Sequence, residues 1–124
     1  MRILLADEQP RVRSAIRLLL EQQLEENTID DVSNSQELLN YVRNCCPDLL
    51  FLDWELPDLA PDNLLMKLRT SHPDLVIIAL DSKPETRQAA LGAGANEFVS
   101  KNEPPDRLLE VVKRSIISEK KLRN

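Results

Sequence analysis

The chain is poor in the residues that most often cross-link a small fold or carry catalysis. Its 124 residues include two cysteines, two glycines, one histidine and only four aromatic side chains, namely one tryptophan, one tyrosine and two phenylalanines. Cys45 and Cys46 are adjacent, which disfavours a disulfide between them, and together with one histidine they are too few for a four-ligand zinc site. We therefore interpret them as reduced structural thiols. His72 directly precedes Pro73, so we expect it in a loop rather than in a catalytic position.

Long apolar runs and an excess of positive charge are also missing. The run at residues 76–80 is far shorter than the roughly 20 residues needed to cross a bilayer, and the opening Met1-Arg2 does not fit a signal peptide. With 16 basic and 21 acidic side chains the formal net charge is −5, which argues against direct binding of nucleic acid by this segment. We expect one cytoplasmic domain with neither a membrane nor a nucleic acid as its partner.

Short apolar runs and prolines divide the chain into alternating strands and helices. The predicted strands lie at residues 3–6, 28–32, 49–52, 75–80 and 97–100. Between and after them, apolar residues recur at a spacing of three and four, which predicts five helices. Strands of unbroken apolarity are covered on both faces, as in a parallel sheet. The alternation therefore predicts an α/β fold with a doubly wound sheet.

Charged residues follow the predicted strands at the positions where ligands bind in such sheets. Asp7 and Glu8 follow the first strand, Asp53 follows the third and Lys101 follows the fifth. The carboxyl ends of parallel strands meet at one edge, so we expect these side chains to converge. Three carboxylates repel one another unless a cation is present, and oxygen ligands of this kind suit Mg²⁺. An aspartate beside Mg²⁺ and a lysine is equipped to accept a phosphoryl group.

These segments resemble the receiver domain of two-component response regulators. Ile3–Pro10 is similar to the family's first strand and acidic pair, Leu50–Pro57 to its phosphoacceptor strand, and Ala90–Lys101 to its fifth strand and lysine. The resemblance implies a flavodoxin-like (βα)5 three-layer sandwich with a parallel five-stranded sheet of order 2-1-3-4-5. We predict a receiver domain at residues 1–117. Residues 118–124 would be the end of the last helix or the start of a linker to an output domain absent from this chain.

The resemblance also implies a phosphorelay function and a role for each charged residue. Asp53 would accept a phosphoryl group from a sensor histidine kinase or a phosphotransfer protein, and the domain would then signal through a changed protein contact. Asp7, Glu8, Asp53 and the backbone carbonyl of Glu55 would hold Mg²⁺. Lys101 would pair first with Asp53 and then with the phosphoryl group. Such a domain is not an enzyme in the usual sense, because at most it catalyses its own phosphotransfer and dephosphorylation.

In the same family, the fourth helix, fifth strand and fifth helix form a surface for dimer or output contacts. That surface would carry mixed charge in this chain, from Arg87, Glu97, Arg107 and Lys113. Exposed ion pairs are individually worth about 0–1 kcal/mol. We therefore expect a monomer or a weak, salt-sensitive homodimer.

Several positions depart from the family's pattern. The usual Thr or Ser at the end of the fourth strand is Ala79, which cannot donate a hydrogen bond to a phosphoryl oxygen, and Phe98 occupies the aromatic switch position. Ser82 could supply a hydroxyl only if its loop folds back; otherwise we expect it to cap the fourth helix. Glu55 and Asp81 are expected either as solvated rim charges or as a barrier to an anionic phosphodonor.

Ala79 keeps a second hypothesis open, in which the chain is an atypical pseudo-receiver that binds a protein partner without control by phosphate. Two further classes are disfavoured. An aspartyl-phosphate phosphatase uses an Asp-x-Asp run, which Asp53-Trp54-Glu55 matches only loosely, and its cap domain does not fit in 124 residues. A flavin-binding flavodoxin needs bare N–H groups after the first strand, where this chain has Asp7 and Glu8.

Overall fold

The computed structural model describes residues 1–24, 27–58 and 60–123. Asn124, at which the predicted C-terminal stretch ends, lies outside the described residues. None of the helices in this described part combines the length and the apolar composition that spanning a membrane requires.

Strands and helices alternate along the chain, as the sequence predicts. The strands are β1 (Arg2–Ala6), β2 (Thr28–Val32), β3 (Leu49–Asp53), β4 (Val76–Asp81) and β5 (Glu97–Ser100). The helices are α1 (Pro10–Gln23), α2 (Ser35–Cys45), α3 (Pro61–Ser71), α4 (Thr86–Ala93) and α5 (Pro105–Arg123). Three of them begin on a proline, which is tolerated there because the first N–H groups of a helix have no intrahelical partner.

The strands form one parallel sheet of order β2-β1-β3-β4-β5, which confirms the predicted fold. All five residues of the central strand β3 are buried, as expected for a strand covered on both faces. Strand β2 lies at an edge, and three of its five residues are exposed. Strand β4 ends at Asp81 rather than at the predicted residue 80, and this single residue matters at the site described below.

Successive residues of a strand point to opposite faces, so the sheet buries two separate hydrophobic clusters. One includes Leu4, Leu50 and Leu52 and packs beneath α2, α3 and α4. The other includes Ile3 and Phe51, among others, and packs beneath α1 and α5. The helices therefore cover both faces, which makes the fold a three-layer sandwich.

Candidate functional site

The structure brings three of the predicted site residues together at the carboxyl edge of the sheet. Asp7 follows β1, Asp53 ends β3, and Lys101 follows β5. The Lys101 Nζ atom lies 2.9 Å from Asp7 Oδ2 and 3.1 Å from Asp53 Oδ1. Both carboxylates are buried, while the Lys101 side chain is 17% exposed. The fourth predicted residue, Glu8, points outward and is exposed.

Backbone N–H groups hold both carboxylates in place. Asp53 Oδ1 accepts a hydrogen bond of 3.0 Å from the N–H of Glu55, and Asp7 Oδ1 accepts one of 2.8 Å from the N–H of Gln9. Asp7 Oδ2 is fully buried and has an ion-pair contact with Lys101, but it makes no well-aligned hydrogen bond within the described part of the chain. That oxygen therefore keeps capacity for a further cation.

Burial and charge act in opposite directions on the ionisable groups of this cluster. Burial raises the pKa of Asp53, and the nearby Asp7 carboxylate adds to the rise, although the Glu55 N–H and Lys101 partly counter it. Burial alone would lower the pKa of Lys101, but the two carboxylates outweigh it and raise that pKa instead. Two buried carboxylates share one lysine, so the cluster keeps an excess of negative charge.

The carboxylates at this edge of the sheet fit Mg²⁺ only if the ion keeps most of its waters. Across residues 1–24, 27–58 and 60–123, no three acidic, histidine or cysteine side chains form a group that could hold a metal. Magnesium, however, usually keeps several waters and takes only one or two carboxylates from a protein. Asp7 and Asp53 are the two carboxylates at this edge that could supply those ligands.

Ala79 and Phe98 face each other across neighbouring strands. They are register partners in the β4–β5 pair, and both belong to the hydrophobic cluster beneath α4. Ala79 is 0% exposed and Phe98 is 1% exposed, so the aromatic side chain lies inside the protein. The guanidinium of Arg87 covers the Phe98 ring at 5.5 Å from its centroid. The small side chain of Ala79 therefore lies beside a fully packed aromatic ring.

The expectation of a solvated rim charge is wrong for Asp81, whereas Glu55 is exposed. Because β4 runs one residue further along the chain than predicted, Asp81 belongs to the strand and is only 3% exposed. Its Oδ2 accepts a hydrogen bond of 2.5 Å from the Thr86 hydroxyl, and its Oδ1 accepts one of 2.8 Å from the Ser82 N–H. Burial would raise the pKa of Asp81, but hydrogen bonds outweigh it and lower that pKa; they come first from Thr86, then from the Glu55 side chain and from the backbone N–H groups of Ser82 and Lys83.

The predicted capping role of Ser82 is also wrong. The residue at the N-cap position of α4 is Glu85, and the helix begins at Thr86. Ser82 is exposed, and its carbonyl oxygen accepts a hydrogen bond of 2.9 Å from the Asn102 side chain. The loop after β4 is thus tied to the loop after β5, through Ser82 and Asn102.

Two side chains that support the site were not predicted from the sequence. Thr86 holds the Asp81 carboxylate, and Arg13 of α1 donates to the carbonyl oxygens of Asp7 and Glu8. No sequence pattern marks Arg13, because its partners are backbone carbonyls. None marks Thr86 either, because its partner Asp81 is buried only where β4 extends past residue 80.

The sequence and the fold both match proteins of one family. Residues 3–113 match the family model described as the response regulator receiver domain. The Fimbriae Z protein of Salmonella typhimurium is 33% identical over 113 residues, which cover 90% of this chain and 54% of that protein. The nitrate/nitrite response regulator protein NarL of Escherichia coli is 25% identical over 119 residues, covering 94% and 55%. The chain thus spans about half the length of these curated relatives.

Solved structures share the architecture over nearly the whole chain. A CheY-like receiver domain protein from Methanospirillum hungatei has a TM-score of 0.84 and 26% identity, covering 97% of this chain and 96% of that one. NtrX from Brucella abortus has a TM-score of 0.86 and 26% identity, covering 98% and 28%. Proteins of this family are signalling domains. The sequence match, the shared fold and the strand-end cluster lead to one conclusion: this chain belongs to the receiver domain family of two-component response regulators.

Proposed function

We propose that this receiver accepts a phosphoryl group on Asp53 in a reaction that depends on Mg²⁺. The observation that carries the proposal is the pair of contacts from Lys101 Nζ to Asp7 and Asp53, at 2.9 and 3.1 Å. In the proposal, Asp7, Asp53 and the backbone carbonyl of Glu55 bind Mg²⁺, and Glu8 does so through water.

The side chains of this cluster would each do one task in the transfer. Asp53 Oδ1 is held by the Glu55 N–H and by Lys101, so Oδ2 is the oxygen left to attack phosphorus. As that bond forms, the bond from phosphorus to the histidine nitrogen of the phosphodonor protein breaks. The ammonium group of Lys101 then pairs with a phosphoryl oxygen instead of with the Asp53 carboxylate. Bound Mg²⁺ would supply neutralising charge to the phosphoryl oxygens.

The partner in this proposal is a sensor histidine kinase or a phosphotransfer protein. Because such a kinase obtains the phosphoryl group from ATP, the proposal places the domain in the cytoplasm. We assign residues 1–117 to the receiver and residues 118–124 to the end of its last helix or the start of a linker. The helical backbone of α5 as far as Arg123 supports the first of these alternatives.

Self-association in this proposal is weak. On the surface formed by α4, β5 and α5, Arg114 donates to both carboxylate oxygens of Glu97, at 3.1 and 2.9 Å. Arg107 pairs with Glu110 at 3.3 Å. These charges have partners within the same molecule, which lowers the gain from pairing with a second copy. Sedimentation at low and high salt tests this expectation, and a tight dimer insensitive to salt contradicts it.

The buried pair of Ala79 and Phe98 favours a second candidate, the pseudo-receiver that acts without phosphate. In the family, a hydroxyl at position 79 links the phosphoryl group to the aromatic switch. Here that hydroxyl is missing, and Phe98 is already buried with Arg87 over its ring. A domain held in one state would still present a binding surface, but phosphorylation would not change it.

Intact-mass spectrometry after incubation with acetyl phosphate and Mg²⁺ distinguishes the two candidates. We expect one phosphoryl adduct on the unmodified protein, its loss in EDTA, and its loss in Asp53→Asn. Asp74→Asn serves as the matched control, because Asp74 is an exposed aspartate in the loop before β4, at the opposite edge of the sheet. An adduct that persists in Asp53→Asn would refute the assignment, and no adduct on any protein would favour the pseudo-receiver.

A further inference from the structure

Arg13 binds the backbone of the loop that carries both acidic residues of the site. Its Nη1 atom donates to the carbonyl oxygen of Asp7 at 2.6 Å and to that of Glu8 at 3.1 Å. The side chain is largely buried, with 18% exposed. Hydrogen bonds from a charged donor are stronger than neutral ones, so α1 fastens the loop that precedes it.

The guanidinium of Arg13 is itself held in place by the edge strand. Its Nε atom lies 3.8 Å from the Asp31 carboxylate of β2. Arg17, one helical turn further along α1, contacts the same carboxylate at 3.2 Å and donates to the carbonyl oxygen of Ile29 at 2.7 Å. Both arginines therefore tie α1 to β2, but only Arg13 also reaches the loop between β1 and α1.

With Arg13 in place, every polar group of Asp7 has a neighbour that restricts it. The Asp7 N–H donates to the carbonyl oxygen of Val32 at 3.1 Å, and the Asp7 carbonyl accepts from Arg13. On the side chain, Oδ1 accepts from Gln9 N–H and Oδ2 faces Lys101. Removing Arg13 would release the carbonyl contacts of Asp7 and Glu8 at once, while leaving both side chains intact.

We propose that Arg13 is a positioning residue that sets the Mg²⁺ affinity of the site without touching the metal or the phosphoryl group. The inference rests on the proposed function, because Mg²⁺ binding by Asp7 is part of that proposal. Residues that orient metal ligands typically change affinity by about 10–100-fold when they are lost.

The direction in which the Mg²⁺ affinity changes shows whether Arg13 acts by positioning the loop or only through its charge. A guanidinium near the site repels Mg²⁺, so removing its charge alone would tighten binding. Loss of positioning would weaken binding instead. Arg17 provides the matched control, because Arg17→Gln removes the same charge from the same helix and the same Asp31 contact but leaves the loop fastened.

The test is an Mg²⁺ titration followed by the fluorescence of Trp54, which is adjacent to Asp53. We expect Arg13→Gln to raise the Mg²⁺ dissociation constant about tenfold, and Arg17→Gln to leave it unchanged or slightly lower. If Arg13→Gln fails to fold, Arg13→Lys keeps the charge and one donor position, and we expect an intermediate loss of affinity.

Amide hydrogen exchange without metal gives a second readout. The Gln9 N–H, which donates to Asp7 Oδ1, should exchange faster in Arg13→Gln than in the unmodified protein or in Arg17→Gln. Unchanged or tighter Mg²⁺ binding in Arg13→Gln would overturn the inference, as would equal weakening in Arg17→Gln. If the unmodified protein shows no response to Mg²⁺, the proposed metal site fails, and unchanged Gln9 exchange in Arg13→Gln would then overturn the role of Arg13 separately.

Discussion

Replacing Ala79 by threonine adds a hydroxyl and a methyl group opposite Phe98, at a position that is 0% exposed. Extra heavy atoms in a packed core typically cost about 1–3 kcal/mol. We therefore expect Ala79→Thr to lower the free energy of unfolding of the unmodified protein by that amount, or to move the Phe98 ring outward. Either result follows from the close packing of Ala79 and Phe98.

The threonine hydroxyl should also make the position of Phe98 depend on the phosphoryl group. Its net contribution as a hydrogen-bond donor is about 1 kcal/mol, which corresponds to about a fivefold change in the ratio of inward to outward positions of the Phe98 ring. Ala79→Val is the matched control, because valine has nearly the same volume as threonine and no hydroxyl. The difference between the two variants isolates the hydrogen bond from the effect of crowding.

The assay is NMR of a selectively labelled Phe98 ring, before and after addition of beryllofluoride and Mg²⁺. We expect the ring signals to change strongly in Ala79→Thr and weakly in the unmodified protein and in Ala79→Val. If the unmodified protein already shows a full, saturating change equal to that of Ala79→Thr, then phosphorylation controls Phe98 without the hydroxyl and the reasoning is wrong.

Two further predictions concern the stability of the unphosphorylated protein, measured by chemical denaturation. The raised pKa of Asp53 means that the folded state binds its proton more tightly than the unfolded state, so stability declines as pH rises from the unfolded value of about 3.9 through the raised folded value. Asp53→Asn should remove that decline and be more stable at neutral pH; equal or lower stability there contradicts this. Thr86→Val should cost about 1–3 kcal/mol, because it removes a donor from the buried Asp81 carboxylate, whereas Thr86→Ser keeps the hydroxyl and should cost less. Equal losses in the two Thr86 variants would show that the hydrogen bond is unimportant.

The fold could be predicted from the sequence because its signals are local and agree with one another. Unbroken apolar strands require cover on both faces, and prolines mark the first turns of three helices. The end of β4 could not be placed to the residue, because an aspartate after an apolar run is typical of a turn. Only its register pairing with Ser100 makes Asp81 part of the strand. That pairing depends on the tertiary structure, and because of it Asp81 is buried rather than exposed as expected.

The candidate site could be predicted to the extent that it lies at strand ends. Asp7, Asp53 and Lys101 each adjoin a strand, so the topology alone brings them together. The contacts of Arg13 could not be predicted in the same way, because they go to backbone carbonyls, which carry no residue-specific signal. The buried position of Phe98 likewise depends on the packing of α4 over the sheet rather than on the sequence of β5.

The most direct test of the account is to locate the phosphoryl group in the chain. An aspartyl phosphate formed with a phosphodonor and Mg²⁺ can be reduced by borohydride, which converts that aspartate to homoserine, and the position can be read by peptide mass spectrometry. We predict that only residue 53 is converted and that the conversion depends on Mg²⁺. The variant Lys101→Ala should abolish or strongly reduce it. Conversion at any other aspartate, or none at residue 53 under conditions that label the intact protein, would contradict the assignment of this cluster.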